Sequence, residues 1–194
     1  MILNLGCGKL PIEGAVNIDV VQFGYTDLVM NIADLPLPFK DNSIDGVYMI
    51  HVFEHLEKPY DFVKEIWRIL KPGGFFYLQV PHSSNIIGIG DFGHYRTFNY
   101  SSLHDYLTNL TYISKGKYLF KTLINELWWY KINGFQHPYL KFKAGVTKSK
   151  YAWIVYPLCN LINKLIKLSP VAFERGWWWM VGGADELVWK GIKL

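Results

Sequence analysis

The stretch LNLGCGKLPIEGAVNIDV, residues 3–20, decides how the rest of the chain is read. A short apolar run ends in Gly6-Cys7-Gly8, and a second apolar run ends in Asp19. Gly6 and Gly8 let the backbone turn tightly and approach a ligand with no Cβ in the way. Between parallel strands such a turn lies at the carboxyl edge of the sheet, where α/β folds bind ligands. Asp19 is then placed to accept hydrogen bonds from vicinal hydroxyls, as on a ribose. A dinucleotide site would want a third glycine, a helix facing a pyrophosphate, and an acidic residue about twenty positions on. Here Lys9-Leu10-Pro11 follows the second glycine, and the path to Asp19 is half as long. The spacing fits a smaller nucleoside cofactor.

Outward from this stretch, apolar runs alternate with helical periodicity, the pattern of an α/β domain. ILNL (2–5) and AVNIDV (15–20) read as strands 1 and 2, TDLVMNI (26–32) as strand 3 and DGVYMIH (45–51) as strand 4. Between Pro59 and Leu70, Phe62, Val63, Ile66, Ile69 and Leu70 recur at helical spacing. KPGG (71–74) stops that helix, and FFYLQVP (75–81) is strand 5. A polar, Gly-rich loop covers 82–100, and Ser101 or Ser102 is positioned to cap a short helix through Leu107. YLFKTLINELWWYKI (118–132) has the aromatic and β-branched content of a long strand. A helix is expected within 151–170, and a final strand in DELVWKGIKL (185–194).

The chain of 194 residues suits a single domain over 1–194, with 51% hydrophobic and 17% aromatic residues. Its net charge of +4 is uneven. Residues 1–112 carry seven Lys/Arg against twelve Asp/Glu, whereas 113–168 carry ten Lys and one Glu. That basic, aromatic segment reads as an insertion or cap, suited to an anionic partner or a membrane surface, or as a solvated face over an aromatic core. No apolar run is long enough to span a membrane, and no secretory signal is visible. Cys7 and Cys159 form no metal-ligand pattern, so no metal and a reducing cytoplasmic setting are expected, peripheral membrane contact left open. No helix is expected before strand 1.

LNLGCG, NIDV, ADLPLPFKDNSIDGVYMIHVFEHL and EIWRILKPGGFFYLQVP, in this order, resemble a class I S-adenosylmethionine-dependent methyltransferase. More narrowly they are similar to the small type 11-like bacterial and archaeal branch often associated with glycan synthesis. The resemblance implies a Rossmann-like, doubly wound, mostly parallel seven-stranded sheet with an antiparallel C-terminal strand. It implies S-adenosylmethionine as cofactor and S-adenosylhomocysteine as product. Leu5, Gly6, Cys7 and Gly8 would contact the methionine part, Asp19 the ribose, and Val20 the adenine. Asn31, beside Ile32, stands where many relatives carry the acid that meets the adenine amino group, and Asp34 is the alternative. His51 would line the methyl-transfer face.

Methyl transfer from a sulfonium is an in-line displacement, so the enzyme mainly aligns the groups. Where a base is needed, histidine suits neutral pH. His94, in GHYRTF, is the leading candidate, with His51 second. Tyr95, Arg96 and His55 are candidates for acceptor binding, Arg96 as a fixed fork for carboxylate or phosphate. Glu54 reads as a helix cap. Cys7 is assigned no chemistry. GWWWMVGG (176–183) cannot bury all three tryptophans on one side of a strand, which suggests a glycan or lipid-like acceptor pocket or a homodimer contact. The expected reaction is O-methylation of a small-molecule, glycan or lipid-like acceptor. The competing readings are an RNA methyltransferase using 113–168, and a non-catalytic module that binds the cofactor.

Overall fold

In the computed structural model, residues 1–108, 119–128, 161, 164–165, 168–172 and 186–194 are described. They form one seven-stranded sheet: β1 (Ile2–Leu5), β2 (Val16–Asp19), β3 (Leu28–Val29), β4 (Ile44–Ile50), β5 (Leu70–Pro81), β6 (Phe120–Trp128) and β7 (Glu186–Lys193), ordered β3-β2-β1-β4-β5-β7-β6. The first five strands are parallel, and β7 runs antiparallel between β5 and β6. This is the expected Rossmann-like architecture. Its connections are leaner than in most doubly wound sheets, because coil and turns join β1 through β4.

Alternation along the strands sorts the side chains. Leu3, Leu5, Val47, Met49, Phe76, Leu78, Val80, Leu187 and Trp189 are buried in one core. Helix α1 (Pro59–Ile69) packs there through Phe62, Val63, Ile66 and Ile69, each worth about 1.5–3 kcal/mol when fully buried. Helix α3 (Tyr100–Thr108) adds Leu103 and Leu107, while a short α2 (Ile86–Gly90) lies before it. The alternate residues Tyr48, Ile50, Tyr77 and Val188 make a smaller cluster.

Several local expectations are corrected. β3 is two residues long rather than seven. Asp27 accepts the Asn17 N–H at 2.7 Å, and Met30 N–H donates to the Asp19 carbonyl at 2.9 Å, so the edge strand is closed at both ends. KPGG does not precede β5 but opens it, with a register shift between Ile44 and Gly46 opposite. Gly74 lies so close to the Lys71, Asp45 and Ile44 carbonyls that a side chain would collide. Asn99, not Ser101 or Ser102, starts α3: its Oδ1 accepts Ser102 N–H at 2.7 Å, and Ser102 Oγ accepts Asn99 N–H at 3.0 Å. The long strand at 118–132 and the last strand are present as β6 and β7. The Lys-rich 141–150 stretch, most of the 151–170 helix, Cys159 and GWWWMVGG lie outside the described residues. Among the described residues no helix is long and apolar enough to cross a membrane.

Two polar anchors tie the frame together. Glu65 accepts Leu37 N–H at 2.7 Å and is gripped by Arg68, whose Nη1 also reaches Asp41 at 2.5 Å. Lys193 is buried, and its ammonium donates to Asn42 Oδ1 and to the Trp67 and Leu70 carbonyls at 2.7–2.8 Å while lying over the Trp67 ring. All three of its N–H bonds are thereby satisfied.

Candidate functional site

Asn4 and Asn17 stand opposite each other in the β1/β2 register and shape the connection that replaces a helix. Asn4 Nδ2 donates to Asn17 Oδ1 at 2.9 Å and to the Leu10 carbonyl at 3.0 Å, and Asn17 Oδ1 also accepts Ile12 N–H. The turn above them is left-handed at both glycines, with φ of 68° at Gly6 and 48° at Gly8. The two glycines differ in surroundings. A Cβ on Gly6 would meet Val52 Cγ2 at 2.4 Å, whereas one on Gly8 would meet nothing within 4 Å. Gly6 is required by the protein's own packing, and Gly8 faces open space.

Asp19 closes the turn. Its Oδ2 accepts Gly8 N–H at 2.7 Å and its Oδ1 accepts Val21 N–H at 3.0 Å. A carboxylate has about four acceptor positions, so capacity remains for a ligand's hydroxyls. Cys7 is buried, its thiol pushed up by burial, which suits a turn residue and not a nucleophile. Val20 is 65% exposed and Val21 half exposed, an apolar rim beside the Asp19 carboxylate. Ile32 is buried below, while Asn31 and Asp34 are exposed. Asn31 Oδ1 accepts Ala33 N–H at 3.1 Å, and Asp34 N–H donates to the Asn31 carbonyl.

Val52 connects this turn to a second cluster at the carboxyl end of β4. His51 adopts φ of 54°, a strained conformation for a residue with a side chain, and donates its N–H to the Gln79 carbonyl. Its Nδ1 lies 3.7 Å from Glu54 Oε1 and its Nε2 3.6 Å from Glu186 Oε1. Burial lowers the His51 pKa, but the Glu186 and Glu54 carboxylates outweigh it and raise it to about 9. Gln79, fully buried in β5, donates to Glu186 Oε2. The antiparallel β7 carries Glu186 here, opposite Pro81.

A 3-10 turn (Phe53–His55) follows, and the 91–96 loop docks on it: Tyr95 N–H donates to the Glu54 carbonyl, Tyr95 Oη to Glu57 Oε1 at 2.7 Å, and Arg96 to the Glu57 carbonyl. His94 Nδ1 meets the Gly88 carbonyl at 2.6 Å, and its Nε2 lies 3.7 Å from Asp91 Oδ2 and 4.0 Å from Glu54 Oε1. The His55 ring stands edge-on to His94, with centroids 4.7 Å apart. His55, Tyr95, Glu57 and Asp61 line a cleft of about 580 Å³ together with Ala33 and Leu35. Thus the structure gathers His51, Glu54, His55 and His94 in one cluster and puts Tyr95 at its mouth. Arg96 Nη2 donates to the Glu57 carbonyl at 3.1 Å, beside the same cleft. Gln79 and Glu186 were missed in the sequence; a glutamine among apolar residues of a central strand was the available signal. Glu54, read as a cap, is a buried carboxylate of this cluster instead.

Comparison with known proteins agrees with this frame. Residues 14–78 match a family model described as a methyltransferase domain. Over 52 residues the chain is 46% identical to a protein of Mycolicibacterium smegmatis described as a probable S-adenosylmethionine-dependent methyltransferase, covering 27% of this chain and 20% of that protein. The match thus spans about a fifth of that relative's length. An S-adenosylmethionine-dependent methyltransferase from Archaeoglobus fulgidus is similar with a TM-score of 0.58 at 17% identity, over 99% of this chain and 85% of the other. So is the Burkholderia thailandensis 1,6-didemethyltoxoflavin-N1-methyltransferase, solved with 1,6-didemethyltoxoflavin and S-adenosylhomocysteine, with a TM-score of 0.52 at 13% identity over 99% and 70%. At such identities the two structures speak for the fold.

Proposed function

We propose that the chain is a class I S-adenosylmethionine-dependent methyltransferase that methylates an oxygen of a small-molecule, glycan or lipid-like acceptor. The observation that carries this reading is the Gly6–Gly8 turn closed onto Asp19, with the His51–Glu54–His94 cluster packed against it through Val52. S-Adenosylmethionine, when bound, supplies an electrophilic methyl on a sulfonium. The open space over Gly8, the spare acceptor capacity of Asp19 and the exposed Val20 fit its amino-acid, ribose and adenine parts in turn. Leu5, Gly6 and Cys7 present backbone to it. Asn31 Oδ1, with one of its two lone pairs given to Ala33 N–H, and the exposed Asp34 carboxylate are the two candidate partners for an adenine amino group.

On the acceptor side, His94 holds its Nδ1 proton against the Gly88 carbonyl, which leaves Nε2 to take a proton from the attacking hydroxyl. Glu54 and Asp91 stabilise the imidazolium that forms. His51 faces a carboxylate at each ring nitrogen and positions the loop instead of acting as base. Glu57, Lys58, Asp61 and Tyr95 give the cleft polar groups of both charges that can hydrogen-bond a hydroxyl-rich acceptor. Mass spectrometry for a 14-dalton gain on candidate glycans, lipids and RNA tests the proposal. Methylated RNA alone would overturn the acceptor class, and absence of cofactor binding would overturn the activity.

A further inference from the structure

The geometry points to a divalent-metal site formed by Glu54, His55 and His94, a role that the sequence pattern does not announce. One ligand atom from each of the three lies within 4.8 Å of the others. Glu54 is 1% exposed, and neither of its carboxylate oxygens has a hydrogen-bond donor. Oε1 faces the rings of His51 and His94 at 3.7 and 4.0 Å, beyond hydrogen-bonding distance, and the protonated His51 offers it a partial counter-charge. No donor among the described residues reaches Oε2, so the burial of this carboxylate is only partly offset, and a coordinated cation would complete it.

The histidines are prepared for the same task. Carbonyl oxygens can only accept, so the Gly88 carbonyl fixes the proton of His94 on Nδ1, and the Gly93 carbonyl, 2.9 Å from His55 Nδ1, does the same there. Both rings therefore present Nε2 lone pairs, with the second nitrogen held as metal-bound imidazoles are commonly held. Tetrahedral bonds of 2.0–2.2 Å place ligand atoms about 3.3–3.6 Å apart. The 4.0 Å between His94 Nε2 and Glu54 Oε1 is within a small side-chain adjustment of that spacing.

Two imidazoles and one carboxylate suit zinc or a neighbouring transition metal, and three protein ligands leave a position open. His55 lines the cleft, so that position borders the space assigned to the acceptor. A metal on His94 Nε2 and proton uptake by that nitrogen exclude each other, so the metal-bound chain lacks the His94 base. It would instead hold water or an acceptor hydroxyl at the open position; this last role rests on the methyl-transfer reading, whereas the metal site itself does not.

The test is calorimetric titration of chelator-stripped full chain with zinc chloride, with magnesium chloride as the oxygen-preferring control. One zinc ion per chain is expected, with magnesium far weaker. His55→Ala and Glu54→Gln should each weaken zinc by about 100-fold or more, since even partners behind a ligand change affinity 10–100-fold. Affinity for S-adenosylmethionine in the same variants, expected within about twofold of the parent, shows that they remain folded. No zinc binding, equal binding by His55→Ala, or a preference for magnesium each overturns the site. A parent chain that binds zinc but not S-adenosylmethionine sinks the methyl-transfer reading and leaves the metal site standing.

Discussion

Gly6 and Val52 touch where the glycine turn meets the end of β4, so closely that a single methyl on Gly6 would overlap Val52 Cγ2. The contact joins the two halves of the site without a hydrogen bond. Gly6→Ala should be destabilising by about 2–4 kcal/mol, combining a positive φ with overpacking. Gly8→Ala, with φ also positive but no clash, should lose about 1–2 kcal/mol. Urea denaturation measures both, and adding Val52→Ala to Gly6→Ala should recover part of the loss.

Asp19 holds Gly8 and Val21, and in the proposed reading it also meets the cofactor's ribose. Asp19→Ala should therefore lower both S-adenosylmethionine affinity and chain stability, each by about 1–3 kcal/mol. Calorimetry and denaturation read the two separately. A stability loss with unchanged affinity would confine Asp19 to the turn.

His94→Ala, measured in single turnover with saturating S-adenosylmethionine, should reduce the chemical step about 10²–10⁴-fold, the usual range for loss of acid–base assistance. Cofactor affinity should hardly change, because His94 contacts Gly88, Asp91 and Glu54 and no part of the glycine turn. Full turnover in this variant would remove His94 from the chemistry.

Glu65 supplies a pH dependence with a definite sign. The Arg68 guanidinium holds its carboxyl below the ordinary 4.5, against a smaller opposing effect of burial. A depressed folded pKa contributes stability that is fully present above the unfolded value. It is lost as pH falls through the folded one. The Glu65 contribution should be constant near neutrality and fall in the acid range below about pH 4.5, so Glu65→Gln should flatten the acid limb of the denaturation midpoints.

Lys193→Met removes three donors and leaves Asn42 and the Trp67 and Leu70 carbonyls without them. The expected loss is about 2–4 kcal/mol, more than the aliphatic side chain regains by fitting the same space. A neutral result in thermal or urea unfolding would contradict this account.

The sheet was readable because its strands are buried, so apolar runs and alternation mark them without reference to partners. Pro59 and the spacing of Phe62, Ile66 and Ile69 likewise mark α1. The shortened β3 was not readable, since it depends on Asp27 bonding a residue ten positions earlier. The turn to Asp19 could be placed because all its parts are local. Gln79 and Glu186 lie 107 residues apart and become neighbours only through the β5/β7 register. Glu54 looked like a cap for the same reason: what makes it unusual is the company of His94, brought by a loop forty residues later.

Because β7 sits between β5 and β6, Glu186 and Lys193 arrive together on one inserted strand. The first completes the environment of His51; the second locks the far end of α1 and β5. One eight-residue strand thus couples two distant places in the fold: loosening it would strip His51 of a carboxylate and leave three buried acceptors without their lysine in the same event.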